Sequence, residues 1–119
     1  MTTLILIPVD DPVEVLVVEP SLAGLQHLVG GFIEYVALDD ELHGYCNEEG
    51  KLDGLRINVR ATRLVETYRP GFMAHDVIVG DFIVLGMTAD GAEADVSTKG
   101  LIDISTRLLR HLAPVVTDQ

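Results

Sequence analysis

Short apolar segments separated by acidic or glycine-containing turns run through the first half of the chain. Residues 3–9 are apolar and extended in character, and residues 13–19 are rich in β-branched residues that partly alternate with polar ones. The turn at residues 10–12 is too short for a crossover connection, so the two predicted strands are expected to form a hairpin. Because proline cannot donate to a central ladder, Pro8 should lie in an edge strand or end its strand.

Two more strands are predicted after a first helix. In residues 20–31, apolar positions at steps of three and four indicate a short helix that Gly30 and Gly31 end. Residues 32–38 return to a period of two with high β propensity, and residues 42–47 form a weaker strand after an acidic turn. The first half of the chain is therefore expected to hold four strands and one helix.

Two helices and one strand region complete the predicted elements. Asn58 is a good helix N-cap, and an apolar stripe follows it at helical spacing up to a Pro-Gly pair. Residues 76–87 are rich in Val, Ile and Phe and should form either a strand pair or one strand broken at Gly80–Asp81. Ser97 is expected to cap the last helix.

The order of these elements predicts an α+β fold class. We expect a single domain over residues 1–113, with a mainly antiparallel sheet and about three helices packed on one face of it. Residues 114–119 are predicted to be a flexible C-terminal tail. A length of 119 residues allows one core and no second domain, since domains usually run to about 100 to 200 residues.

Composition is typical of a folded protein in a reducing compartment. Apolar residues make up 48% of the chain and charged residues 23%, whereas disordered segments are poor in apolar residues and highly charged. No apolar run approaches the about 20 residues of a membrane span, and the first residues lack the basic region and cleavage site of a signal peptide. With Cys46 as the single cysteine, no internal disulfide forms, and we predict a cytoplasmic location.

Charge is distributed unevenly along the chain. There are 19 acidic and 8 basic residues, for a net charge of −11, and eleven of the acidic residues lie within residues 1–53 beside one base, Lys51. This balance disfavours direct binding to nucleic acid or to an anionic membrane and favours a basic protein partner. The predicted partner-binding acidic face consists of Glu34, Asp39, Asp40, Glu41, Glu48, Glu49 and Asp53. Solubility alone is the simpler explanation, and only the placement of these carboxylates separates the two.

The residue types that carry catalysis or bind metals form no complete set. His43 and Cys46 have a ligand-like spacing, but a structural zinc site needs four ligands, and an odd separation puts the two on opposite faces of a strand. No nucleophile-elbow motif and no phosphate-binding glycine loop occurs. We therefore predict no catalytic residue, no metal and no cofactor.

One basic cluster lies in and around the second predicted helix. Its members either bind an anion near the start of that helix, where the helix dipole helps, or pair with the acidic first half of the chain. We favour internal pairing. The cluster consists of Arg56, Arg60, Arg63 and Arg69.

Four segments carry motifs in a fixed order: LQHLVGGFIE (25–34), NEEGKLDGLRIN (47–58), Ala61–Thr62 and VIVGDFIVLG (77–86). Together they resemble a family of small domains of unknown function carried by bacteria, their phages and plasmids. The chain departs from the family pattern at Arg56, where the family more often has proline. The resemblance implies a phage or mobile-element accessory protein in the cytoplasm of a bacterial or phage-infected host cell, and it implies no reaction.

The motifs also single out polar and glycine positions near one helix end and two turns. These positions either line one pocket or serve as caps and turn residues that fix the fold. The candidate pocket consists of Gln26, Gly30, Gly31, Glu34, Asn47 and Asn58.

Three functional hypotheses follow. The first is a non-enzymatic acidic accessory protein that binds a basic protein partner, one version being mimicry of nucleic-acid charge. The alternative is a small ligand-binding domain or enzyme with a polar pocket around Gln26, Glu34, Asn47 and Asn58. The third is a homo-oligomer formed through residues 4–8 or through the last helix.

Overall fold

Six strands and three helices follow one another along the part of the chain that the structure describes. The computed structural model describes residues 1–19 and 21–112, and the predicted tail at 114–119 lies outside them. The strands are β1 (Thr2–Ile7), β2 (Glu14–Val18), β3 (Ile33–Ala37), β4 (Leu42–Asn47), β5 (Phe82–Met87) and β6 (Glu93–Ala94). The helices are α1 (Leu22–Val29), α2 (Val59–Tyr68) and α3 (Thr98–Leu112). The predicted α+β class is confirmed.

Each strand pairs antiparallel with its neighbours in one sheet. The strand order is β2-β1-β5-β4-β3, and β6 pairs with the last residues of β5. The predicted hairpin of β1 and β2 is present, and Pro8 follows the end of β1, an interior strand. Because both sides of β1 are occupied, residues 4–7 offer no free edge for self-association.

Helices pack on both faces of the sheet, which corrects the prediction that they cover one face. α2 and α3 cover a core that includes Leu64, Phe82 and Val84, and α1 covers a second core that includes Leu4 and Ile83. The reason lies in β1 and β5, whose apolar residues are consecutive and do not alternate with polar ones. Such strands have to be covered on both faces.

Ser21 caps the start of α1, and Gly30 ends the helix as predicted. Ser21 Oγ accepts a hydrogen bond from Gly24 N at 3.1 Å at the start of α1. After α1, Gly30 adopts a φ of 80°, a left-handed conformation that glycine reaches without a steric penalty. This turn directs the chain from α1 straight into β3.

Residues 76–87 form one strand preceded by an irregular segment. Only the last six residues are β5, while Val79 makes an isolated bridge with Ile57 and Gly80 turns the chain at a φ of 75°. The weak strand predicted at 42–47 is β4, which lies between β5 and β3. The short strand β6 follows β5 after a turn.

Candidate partner-binding site

The predicted acidic face lies on the β3–β4 hairpin and on the loop that follows β4. In the hairpin turn, Asp39 Oδ1 accepts a hydrogen bond from Glu41 N at 2.8 Å. The turn is closed by a backbone bond from Leu38 N to Leu42 O at 3.2 Å. An aspartate that bonds the amide two residues further on is typical of tight turns. The sequence therefore holds these acidic residues at one tip of the sheet by local hydrogen bonds.

All seven carboxylates of this face are exposed to solvent. We call the set the acidic hairpin surface: Glu34, Asp39, Asp40, Glu41, Glu48, Glu49 and Asp53. Three of them lie in the β3–β4 turn, three lie beyond the other end of β4, and Glu34 lies in β3 opposite Cys46. At ~3.3 Å per residue, the two ends of β4 are about 17 Å apart. Salt screens the interaction between exposed charges that are more than about 8 to 10 Å apart. The carboxylates at the two ends of β4 therefore act as two separate acidic groups on one extended surface.

Two arginines of the predicted basic cluster are bound to the turn between β1 and β2. Arg56 forms an exposed ion pair with Asp10. Arg60 Nη2 donates to the backbone carbonyls of Pro8 at 2.6 Å and of Asp11 at 2.5 Å. These contacts support internal pairing of the cluster, but they do not neutralise the acidic hairpin surface.

Lys51, which lies between Glu49 and Asp53 in the sequence, and Arg69 of the basic cluster also make contacts elsewhere. Lys51 pairs with Asp76, which raises the pKa of Lys51 and lowers the pKa of Asp76, and Glu34 adds a smaller Coulombic contribution to Lys51. The Arg69 guanidinium lies 3.9 Å from the centre of the Phe72 ring. Within the described residues, no ion pair includes a carboxylate of the acidic hairpin surface.

Asn58, a predicted pocket residue, is fully buried at the start of α2. Its Nδ2 donates to Ile7 O at 2.8 Å and to Gly80 O at 2.9 Å, and its Oδ1 accepts from Ala61 N at 3.0 Å. Both amide hydrogens and the carbonyl oxygen are therefore used within the fold. The residue caps α2, as predicted, and joins the helix to β1 and to the turn before β5.

Asn47 is a second predicted pocket residue whose side chain bonds within the fold. Its Nδ2 donates to Val29 O at 3.3 Å, and its Oδ1 accepts from Glu49 N at 2.8 Å. A Cβ on Gly31 would lie 2.8 Å from Asn47 Nδ2, so a glycine is needed for this approach. The backbone carbonyl of Gln26 accepts from the N–H groups of the two glycines after α1. These residues connect the end of α1 to the end of β4.

Two cavities contain members of the predicted pocket. A cavity of about 510 Å³ between the β1–β2 turn and the end of α1 is lined by Gly30 and Asn47. A smaller one of about 110 Å³ is lined by Glu34 and Asn47. Gln26 and Asn58 line neither of them. Gly30, Gly31 and Asn47 thus lie together at the end of α1, Glu34 shares the smaller cavity with Asn47, and Asn58 lines neither cavity.

His43 and Cys46 lie on opposite faces of β4, as their odd separation predicts. Cys46 belongs to the core under α2 and α3, where burial raises the pKa of its thiol to about 11. His43 is 1% exposed, and its Nε2 lies 3.0 Å from Glu93 Oε2. In the described part of the chain, no three His, Cys, Asp or Glu side chains are grouped so as to hold a metal ion.

Sequence reasoning missed a polar and aromatic cluster around His43. Tyr35 stacks on the imidazole and Tyr45 meets it edge-on, each with 5.2 Å between ring centres. Burial, together with a hydrogen bond and the charge of Glu93, raises the pKa of Tyr45. The hairpin register places the three rings on one sheet face. Glu93 comes from β6, 50 residues further along the chain, so only the strand order reveals this contact.

Fold and site together define a small α+β domain with an antiparallel sheet, helices on both sheet faces and an acidic outer hairpin. The chain belongs to the family described as Domain of unknown function (DUF3846), whose model matches residues 1–110. The resemblance to a family of domains of unknown function is thereby confirmed. No curated protein and no solved structure matches the chain. None of the helices in the described residues is long and apolar enough to cross a bilayer.

Proposed function

We propose that this protein is a non-enzymatic accessory protein that binds a basic protein partner through the acidic hairpin surface. The observation that carries the proposal is that all seven carboxylates are exposed and unpaired with bases of the described chain. Exposed charge of one sign speeds the association with a partner of opposite sign and suppresses binding of like-charged ones. Carboxylates already bound by internal arginines would not have this effect.

The extent of the surface supports a protein as the partner. A standard interface buries about 800 Å² on each side, which corresponds to a round patch roughly 30 Å across. The two acidic groups, about 17 Å apart along β4, fit within such a patch. A small cationic ligand would contact only one of the groups.

The partner that we propose is a DNA-binding or defence protein in the cytoplasm of a bacterial or phage-infected cell. Such a protein carries a basic surface for phosphates, and the acidic hairpin surface would occupy it by mimicking nucleic-acid charge. The net charge of −11 supports this proposal, because the chain itself is unsuited to bind nucleic acid.

Capture from a bacterial extract, followed by purification of each captured protein, tests the proposal. The immobilised full chain is expected to retain basic proteins at low ionic strength and to release them at high ionic strength, because salt screens exposed charges. Duplex DNA should displace a purified partner. A partner that stays bound at high salt and in the presence of DNA would argue against charge mimicry.

A further inference from the structure

The backbone hydrogen bonds of the β3–β4 hairpin follow an alternating pattern. Phe32 O accepts from Glu48 N at 2.8 Å, and Leu38 N donates to Leu42 O at 3.2 Å. In an antiparallel pair, every second residue of a strand turns its N–H and C=O toward the neighbouring strand. The even-numbered residues from 32 to 38 therefore pair with β4.

Ile33, Tyr35 and Ala37 turn their backbone N–H and C=O groups away from β4. β3 is the last strand in the sheet order on this side. Within residues 1–19 and 21–112, no hydrogen bond joins these outward groups to another residue. An unpaired edge of this kind is a template to which an extended segment adds as a further strand.

The charges at both ends of this edge select its occupant. The acidic turn lies beyond Ala37, and Glu48 is held beside Phe32 at the other end. A second copy pairing through β3 would bring acidic groups together in either orientation, which is unfavourable. A segment with Lys or Arg residues at its two ends would instead meet opposite charges.

Exposed aromatic rings near the edge add a requirement for the middle of the segment. Tyr35 is 51% exposed in β3, and Phe72 is 46% exposed and lines the cavity that contains Glu34. Side chains of an added strand alternate between the two sheet faces. Apolar or β-branched side chains would cover these rings.

We propose that the partner adds an extended strand to β3, with basic residues flanking a β-branched centre. This inference rests on the proposed function and specifies its partner further: an extended basic segment pairs with the backbone of Ile33, Tyr35 and Ala37. The flanking bases contact the acidic groups at the two ends of β4.

A synthetic peptide with lysines at both ends and alternating Thr and Val in the centre is the probe. Two N-methylated forms of the peptide are compared. One carries methyl groups on the odd-numbered central amides, and the other carries them on the even-numbered central amides. Only one set of amides faces β3 in an added strand. We expect one form to bind the full chain as the unmodified peptide does and the other to bind at least ~10-fold more weakly. Hydrogen exchange at Ile33, Tyr35 and Ala37 should slow on binding.

A variant pair tests the same contact from the protein side. Ala37→Pro removes one outward N–H and leaves the hydrogen bonds to β4 in place, because Ala37 does not donate to that strand. Ala37→Val keeps the N–H and serves as the control. Peptide binding should weaken about 10-fold in the first variant and remain within ~2-fold in the second.

Equal binding of both N-methylated forms and of Ala37→Pro would overturn strand addition. Loss of binding when the peptide lysines are replaced by uncharged norleucine would then leave charge as the sole contact, and the proposed function would stand. Absence of peptide binding at low ionic strength would count against both. Concentration-dependent dimerisation that Ala37→Pro abolishes would show that a second copy occupies the edge.

Discussion

The side-chain amide of Asn58 donates a hydrogen bond to the backbone carbonyl of Gly80 at 2.9 Å, in a position without solvent exposure. The same amide donates to Ile7, and its oxygen accepts from Ala61. One side chain therefore satisfies buried backbone groups of β1, of α2 and of the turn before β5. Its contribution to stability exceeds that of a helix cap alone.

Replacing Asn58 by alanine should lower the free energy of unfolding by about 2 to 4 kcal/mol. The loss combines a helix cap with two buried carbonyls left without a donor. Ser97→Ala is the matched control, since Ser97 Oγ caps α3 through Gly100 N from an exposed position, and it should cost about 1 kcal/mol. Urea unfolding measures both. Equal losses would show that Asn58 acts as a cap only.

Gly44 leaves room for the Phe82 ring on the face covered by α2 and α3. A Cβ on Gly44 would lie 2.2 Å from Phe82 Cζ, so Gly44→Ala should destabilise the protein by about 1 to 3 kcal/mol through overpacking. Phe82→Leu removes the atoms that clash. The double variant should therefore lose less stability than the sum of the two single variants in urea unfolding. Simple additivity would contradict the contact.

Cys46 should make stability fall at alkaline pH. Burial is the main cause that raises the pKa of its thiol from the usual value of 9.0 to about 11. A raised pKa gives a contribution that is fully present below pH about 9 and is lost as the pH rises through about 11. That contribution is on the order of 1 to 3 kcal/mol. Cys46→Ala should therefore lose less stability than the parent chain over this range in urea unfolding. Parallel curves for the two proteins would contradict it.

Glu93 should stabilise the buried His43 ring by accepting from Nε2. His43 Nδ1 has no partner among the described residues, so Glu93→Ala leaves the whole imidazole without a hydrogen bond. We expect a loss of about 1 to 3 kcal/mol in thermal unfolding. Glu93→Gln keeps an oxygen acceptor and should lose less. A larger loss for Gln than for Ala would rule out this role.

Local sequence patterns predicted the elements because their causes are local. Asn58 and Ser97 are cap residue types placed before apolar helical stripes, and the β3–β4 turn is set by Asp39 itself. The hydrogen bonds from Asn58 to Ile7 and Gly80 could not be predicted from the sequence, because these residues approach Asn58 only in the folded chain.

The position of β3 at the sheet edge follows from long-range pairing. β5 inserts between β1 and β4 from late in the chain, and no local pattern specifies that order. The consecutive apolar residues of β1 and β5 did carry a signal for helices on both faces. The contact of His43 with Glu93 joins residues 50 positions apart and had no sequence signal.

We propose that the placement of the carboxylates, beyond the net charge, determines partner binding. The most direct test is the dissociation constant of a purified captured partner for two variants that each remove three negative charges. One variant changes the hairpin turn: D39N, D40N and E41Q. The control changes exposed acidic residues outside the surface: D11N, E14Q and E19Q. We expect the first to bind at least ~10-fold more weakly and the second to stay within ~2-fold of the parent chain at equal salt. Equal weakening of both would contradict the claim.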